Sequence, residues 1–381
     1  MINPTNRVLI LTNIPAPYRL PVFEQLAQHV ALTVAFCESE DKERQWRVDL
    51  NGDRVNYHAF DAQPIRLTNG ITFVRNPALG DWLSRHPFDV YIAGENFVNA
   101  PSVLAVMRAA RRAKKPFILW SENIDTDFAS GNFLSNSYRR LLYRGTDAFL
   151  AYSEMAREYL VRRGAAPARI VRGWQVVPPE QIPPPARQAR FNWQPDPDTG
   201  GVTIAFVGSL TQRKGVEDLV RAFQAAGRPQ DRLLILGSGP LADALAAQAQ
   251  QDHRIVLAGY VGGQQRSDYL ACADIFVLPS HHDPWGLVVN EAMALGLPVI
   301  VTRAAAAHEM VDGAGFVIPA DRPEAIVQAL SQLIDDPDLR RGMGQKARRI
   351  AQGYSVERAT QGFLNVILSV ILNEIESSRR W

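Results

Sequence analysis

The sequence predicts two α/β domains in tandem, each a doubly wound parallel sheet covered by helices on both faces. Three observations predict it. Short apolar runs of buried-strand length alternate with helical patterns in the first half, a proline-dense stretch breaks the pattern, and the same alternation then resumes. A chain of 381 residues also exceeds the usual size of one hydrophobic core.

In the first half the strand-length runs are Arg7 to Asn13, Ala31 to Cys37, Asp89 to Gly94, Pro116 to Trp120 and Asp147 to Ser153. Helical patterns such as Val98 to Ala113 and Glu154 to Arg163 lie between them. Pro178, Pro179, Pro183, Pro184, Pro185, Pro195 and Pro197 then crowd a polar stretch ending in Gly200 and Gly201, a composition that suits neither a helix interior nor a central strand. The reading is a first domain over 1–175, a linker over 176–200 and a second domain over 201–361. The second domain takes its strands from Val202 to Val207, Arg232 to Leu236, Ile255 to Ala258, Asp274 to Leu278, Pro298 to Thr302 and Gly315 to Ile318. The closing segment, 362–381, repeats Phe363, Val366, Ile367, Val370, Ile371 and Ile375 at helical spacing, so it is predicted as a helix with a core-facing stripe. Two such sheets facing each other leave a cleft at the carboxyl ends of their strands, where ligands bind.

Composition narrows the classes. A hydrophobic share of 46% and a charged share of 21% belong to a globular protein. Only Cys37 and Cys272 are available, both in apolar surroundings, which fits a reducing cytoplasm rather than a disulfide framework. No stretch is apolar for long enough to cross a bilayer, and Met1 to Arg7 is polar, unlike a signal peptide. The net charge is +2, yet Leu104 to Arg172 holds thirteen Lys or Arg against six acids. Such a face is either simply solvated or drawn to an anionic membrane surface or a phosphate-bearing acceptor. No nucleic acid is expected among the partners.

The most informative segment is Pro279 to Ile300, PSHHDPWGLVVNEAMALGLPVI. A strand ending at Leu278 delivers the chain into a polar loop, and Gly286 opens a helix running to about Leu295. A helix starting at the carboxyl edge of a parallel sheet turns free backbone N–H groups and a positive dipole end toward the ligand crevice, a place for a diphosphate. Glu291 lies in the second turn, where its carboxylate suits paired ribose hydroxyls. Asp283 lies eight residues earlier and can reach hydroxyls of whatever the diphosphate carries. The plainer alternative is a capping acid and a surface acid. In AFVGSLTQRKG, Ala205 to Gly215, a strand ends at Gly208, and Arg213 and Lys214 precede a helix starting near Val216. Cations beside such a turn neutralise phosphate oxygens, Arg by its fork and Lys as a point charge, although solvated basic turns are commoner.

DPWGLVVNEAMALGLPVI resembles the E-x7-E donor motif of retaining family 4 glycosyltransferases, through Gly286, Glu291, Ala292, Gly296, Pro298 and Val299. Asp283 stands where that family usually has Glu. AFVGSLTQRKG resembles the family's phosphate loop, with Lys214 on the family lysine, Ser209 at the family arginine position and Arg213 supplying part of the missing charge. LLILGSGP with Gly237 resembles the Gly turn of the donor domain, and LAGYV with Tyr260 and Val261 resembles the segment that lies along the base. The resemblance implies a GT-B fold, two Rossmann-like domains facing across a cleft, with the C-terminal helix returning to the N-terminal domain. It implies a donor site of Gly208, Ser209, Arg213, Lys214, Gly237, Tyr260, Val261, Asp283, Trp285, Gly286, Leu287 and Glu291. Asp283 and Lys214 are then also catalytic candidates.

NIPAPYRLPVFEQLA, Asn13 to Ala27, resembles the acceptor-domain opening of a bacterial subgroup of that family, which makes Tyr18 and Arg19 candidate acceptor or phosphate contacts. No G-x-G-x-x-G follows its strand, which argues against a dinucleotide there. Where many members carry a histidine, PFILWSENID places Trp120, Ser121 and Glu122. Glu122 is the candidate to orient or deprotonate an acceptor hydroxyl, a backbone-bonded loop acid being the alternative. The function implied is retaining transfer of a sugar from a UDP- or GDP-sugar to a glycan, lipid-linked saccharide or small acceptor, in bacterial surface polysaccharide or glycoconjugate synthesis. The expected location is the cytoplasm or the inner face of the membrane, held peripherally. No cofactor and no metal are expected, because His281 and His282 are adjacent rather than at a ligand spacing. The alternatives are a nucleotide-sugar epimerase, a sugar phosphorylase or a non-catalytic nucleotide-sugar-binding subunit.

Overall fold

A computed structural model describes residues 3–40, 48–50, 52, 54–66, 72–126, 133–177, 182, 191, 194–195 and 199–378, with side chains at 133 and 373–378 excepted. The proline-dense stretch over 176–200 lies largely outside the described residues. The chain divides into two compact units.

The first unit contains β1 (Arg7–Thr12), α1 (Leu20–Leu26), β2 (Ala31–Phe36), β3 (Asn56–Ala59), β4 (Gln63–Arg66), β5 (Thr72–Arg75) and α2 (Leu79–Arg85). It continues with β6 (Val90–Gly94), α3 (Ala100–Ala113), β7 (Phe117–Ser121), α4 (Phe133–Arg144), β8 (Ala148–Ala151), α5 (Glu154–Arg162) and β9 (Ile170–Arg172). Seven strands form a sheet in the order β3-β2-β1-β6-β7-β8-β9, every neighbouring pair parallel. Strands buried on both faces must be largely apolar, and β1, β2 and β6–β8 are. The strands not legible in the sequence are β3, the antiparallel β4–β5 hairpin and β9. All of them keep exposed or half-buried residues, so none makes the continuous apolar run that marks a central strand.

The second unit contains β10 (Thr203–Val207), α6 (Val216–Ala226), β11 (Arg232–Leu236), α7 (Ala242–Gln251), β12 (Ile255–Gly259), α8 (Gly263–Ala271) and β13 (Ile275–Leu278). After these come α9 (Leu287–Ala294), β14 (Val299–Thr302), β15 (Gly315–Ile318), α10 (Pro323–Asp335) and α11 (Pro337–Gln352). Its sheet is also parallel, ordered β12-β11-β10-β13-β14-β15. Phe206, Phe223, Leu219, Leu330 and Leu333 centre one of its cores, where α6 and α10 cover one face.

The last helix, α12 (Val356–Ser378), belongs to the first unit. Phe363, Val366, Ile367 and Val370 are buried, the stripe that the helical spacing predicts. The Phe363 ring meets Trp120 edge-on at 5.0 Å and Phe23 at 6.4 Å, which fastens α12 to β7 and α1. Among the described residues no helix is long and apolar enough to cross a membrane.

Candidate functional site

In the second unit, strand order reverses between β10 and β13, so a crevice opens outside their carboxyl ends. The sequence motifs end there. Half-buried Gly208 and exposed Ser209 follow β10, and Gly237 follows β11. Gly237 has a φ of 151° and packs so tightly on the Gly208 carbonyl that a Cβ would collide with it. The next turn, Gln212–Lys214, ends at Gly215 in the left-handed region with a φ of 66°. A side chain there would strike the carbonyl of Pro279. The His281 N–H donates to the Arg213 carbonyl at 2.9 Å, so the cation turn and the loop after β13 are tied through backbone.

That tie brings Lys214 and Asp283 together. Nζ lies 2.5 Å from Oδ2, and the two side chains are only 14% and 9% exposed. Sequence reasoning treated them as separate donor contacts, and the structure joins them in one ion pair. Arg213 gives an N–H to the His282 carbonyl at 2.8 Å, which aims its guanidinium along the same loop. The backbone of Asp283 is pinned on both sides, its N–H to the Ala304 carbonyl and its carbonyl to the Ala306 N–H. Burial and the cations Arg213 and Lys214 lower the His282 pKa, against the opposing pull of Asp283.

Gly286 caps α9, and Leu287 starts it. The Trp285 indole is buried and donates to Asn290 at 2.9 Å, so it anchors the loop and leaves only backbone for a ligand. Glu291 is buried in α9 with one oxygen 2.9 Å from Arg266 of α8. Burial raises its pKa, and Arg266 offsets part of that rise. Tyr260 stands 48% exposed after β12, whereas Val261 beside it is buried. The sequence reading missed Arg266, and it also missed the clamp on His281, whose two ring nitrogens face Asp218 and Asp321. Neither has a local sequence signal, since the partners lie on other elements.

The first unit has its own switch point, between β1 and β6. Arg19 sits in a turn over Pro17–Arg19 just before α1. Its guanidinium lies 4.8 Å from the Trp120 ring centroid, donates to Thr12 at 3.0 Å and pairs with Glu122 at 3.2 Å. Burial opposes the charge, but Tyr152, Tyr18 and Glu122 outweigh it and hold the group firmly cationic. Glu122 is thus an ion-pair partner of Arg19 with a 41% exposed side chain. Tyr18 lines a neighbouring hollow with Phe23, Trp174 and Phe363. Below Arg19 lies Glu95, which sequence reasoning passed over. Its carboxylate accepts from Ser121 at 2.6 Å, Tyr143 at 3.1 Å and Arg139 at 3.3 Å. A signal existed: Glu95 follows the strand run ending at Gly94, at the carboxyl edge where ligands bind.

Residues 201–336 match the family described as glycosyl transferases group 1, and residues 15–174 match the glycosyl transferase 4-like domain. An uncharacterized glycosyltransferase of Methanocaldococcus jannaschii is 31% identical over 170 residues, 43% of this chain and 44% of that protein. The D-inositol 3-phosphate glycosyltransferase of Kineococcus radiotolerans is 30% identical over 244 residues, 55% of this chain and 54% of the relative. The chain therefore matches about half the length of these relatives. Among solved structures, HepE of Anabaena in complex with UDP superposes with a TM-score of 0.72 at 16% identity, covering 95% of this chain and all of that one. Sucrose-phosphate synthase of Thermosynechococcus elongatus superposes with a TM-score of 0.76 at 16% identity, covering 97% and 100%.

Proposed function

Because the chain belongs to the group 1 glycosyl transferases, with a family 4-like first half and the GT-B fold, we propose that it moves a sugar from a nucleotide-diphosphate sugar to an acceptor hydroxyl. One observation carries the reading: the motif residues Arg213, Lys214, Asp283 and Glu291 come together with the start of α9 at the switch point of the second sheet. A diphosphate leaving group needs positive charge where its own charge develops; Arg213 and the α9 N-terminus supply it without a metal ion, and Lys214 adds the share of its charge that the diphosphate draws away from Asp283. Glu291 holds the ribose, Asp283 the hydroxyls of the transferred sugar, and Gly208, Ser209, Gly237, Tyr260 and Val261 the rest of the donor. The first unit takes the acceptor at Tyr18 and Arg19, with Glu122 orienting or deprotonating its hydroxyl. Transfer proceeds with retention at the anomeric carbon, as the family 4 resemblance implies.

UDP-sugars are the first donors to test, since the Anabaena structure holds UDP, and GDP-sugars the second. The product is placed in bacterial surface polysaccharide or glycoconjugate synthesis. A peripheral seat on the inner membrane face is supported by exposed Arg108, Arg111, Arg112 and Lys114 around α3 and by Arg140 and Arg144 on α4, beside exposed Leu134 and Leu141. Neither helix contains an acid. Sedimentation with anionic vesicles that weakens as salt shortens the screening length supports that seat, and equal sedimentation with neutral vesicles removes it. The reaction itself is tested by screening UDP-, GDP- and ADP-sugars for nucleotide release that rises with acceptor. Donor binding with no release in any acceptor mixture would overturn it.

A further inference from the structure

Arg266 lies outside every motif of the donor site, yet its guanidinium donates to Glu291 Oε1 at 2.9 Å. Its side chain is 36% exposed and that of Glu291 10%, so the pair sits at the rim of the second unit rather than in its core. The local fold puts it there. Directly after the Tyr260–Val261 segment, Gly262 caps α8 and Gly263 takes a φ of 54°, so α8 opens at the carboxyl edge of the sheet with Arg266 close to its start. Glu291 approaches from α9, which starts at the same edge.

A buried carboxylate with no partner takes up a proton rather than stay charged. Burial pushes the Glu291 carboxyl that way, and Arg266 pulls against it. The surrounding elements offer no equivalent. Strands β13 and β14 carry no charged residue, and α11 sends Arg348 to the Leu295 carbonyl at 2.9 Å, at the far end of α9. The turn over Ala306–Met310 carries His308 and Glu309, and in the loop before α9 Lys214 is paired with Asp283. The acid of α8 itself, Asp268, accepts from Gln264 at 2.8 Å. Arg266 is the cation whose charge acts on Glu291.

We infer that Arg266 is a positioning residue of the donor site, fixing the Glu291 carboxylate as an oriented anion so that the ribose hydroxyls of the nucleotide have a charged acceptor at neutral pH. The inference rests on the reading that Glu291 holds the ribose, and it makes recognition of that sugar depend on a residue of another helix. One Glu291 oxygen is oriented by the arginine, and the carboxylate keeps acceptor sites for hydroxyl protons, since each oxygen has two lone pairs.

The test compares UDP with 2′,3′-dideoxy-UDP, which keeps the base and both phosphates but lacks the two hydroxyls. Calorimetric affinities for both are measured on the full chain across neutral and mildly alkaline pH, and their ratio cancels the titration of the phosphates. In the parent chain the ratio should rise with pH. In Arg266→Met, which keeps a stem of similar length, the rise should move upward by about one pH unit or more, and the ratio at neutral pH should fall roughly tenfold. Arg266→Lys should restore most of both, because it returns the charge. The dideoxy analogue should bind all three chains alike, which also reports an intact site. A curve unmoved in Arg266→Met, or a ratio lowered equally at every pH, overturns the inference and leaves a structural ion pair. Equal losses of UDP and of the analogue overturn it too, since Arg266 would then support the helices rather than the carboxylate. A ratio near one in the parent chain would overturn the ribose assignment of Glu291 and this inference with it. A normal ratio in a chain that never releases nucleotide would defeat the transferase reading alone.

Discussion

Lys214 Nζ and Asp283 Oδ2 are 2.5 Å apart, so the lysine of the phosphate loop and the first acid of the donor motif form one ion pair rather than two independent ligand contacts. The consequence is electrostatic. A diphosphate arriving beside Arg213 meets a lysine whose charge is already met, and a sugar hydroxyl meets a carboxylate that the lysine holds in place.

Asp283→Asn should therefore tighten UDP binding while lowering sugar transfer, because Lys214 regains its full charge and the sugar loses its acceptor. Breaking a pair this buried is also expected to cost up to about 3 kcal/mol of stability. Calorimetric titration with UDP, initial rates and a melting curve check the three effects. UDP affinity that falls in parallel with the rate would contradict this account of the pair.

Glu291 gives a pH prediction. Burial raises its pKa, so the folded chain holds the proton more tightly than the unfolded chain, and this group's contribution to stability is lost as pH rises from the unfolded pKa through the folded one. Ribose hydroxyls donate to the ionised form, so UDP binding should release a proton and tighten as pH rises through that window. Glu291→Gln should remove that part of the pH dependence, leaving only what UDP itself contributes. Titrations in buffers of different ionisation enthalpy read the proton directly. Equal proton release in both proteins would exclude Glu291 from the ribose.

What the sequence alone shows of this fold and site follows from what sequence patterns encode. The central strands read clearly because burial on both faces forces an unbroken apolar run, as in Val8 to Leu11 and Ile275 to Leu278. The β4–β5 hairpin left no trace, since every residue of β4 is exposed. At the site, Glu291 and Lys214 were found through local motifs, whereas Arg266 reaches Glu291 from 25 residues away and Arg139 reaches Glu95 from 44. Partnerships of that kind are made by sheet order, which a linear spacing does not contain. For the same reason Asp283 read as a contact to the transferred sugar, and its pairing with Lys214 shows only once β10 and β13 are neighbours.

The closing helix supplies a stability prediction. Phe363 is 3% exposed and joins Phe23 and Trp120 in one edge-to-face cluster. Phe363→Ala should cost about 3–5 kcal/mol, the usual range for emptying an aromatic core site. The loss should appear in the unfolding transition of the first unit, followed by denaturant titration. Leu372, 49% exposed on the same helix, is the control: Leu372→Ala should change little. Equal effects at the two positions would mean that α12 does not dock through its stripe.

Ser209 tests whether charge or shape limits the phosphate loop. It is exposed just beyond β10, so an arginine there has room to extend, and the family motif places an arginine at that position. In this chain Arg213 is proposed to supply part of that charge, held along the loop by its bond to the His282 carbonyl. If so, Arg213→Ala should weaken UDP binding by roughly tenfold or more, since a hydrogen bond to a charged group contributes about 1.5–3 kcal/mol. Ser209→Arg should tighten it, and the double variant Ser209→Arg with Arg213→Ala should bind UDP nearly as the parent does. Two cations serving one diphosphate are coupled, so their effects should not add, and the departure from additivity measures the sharing. Titration of all four proteins at one ionic strength closes the cycle. Strict additivity, or a double variant no better than Arg213→Ala alone, would show that Arg213 does not stand in for the missing arginine.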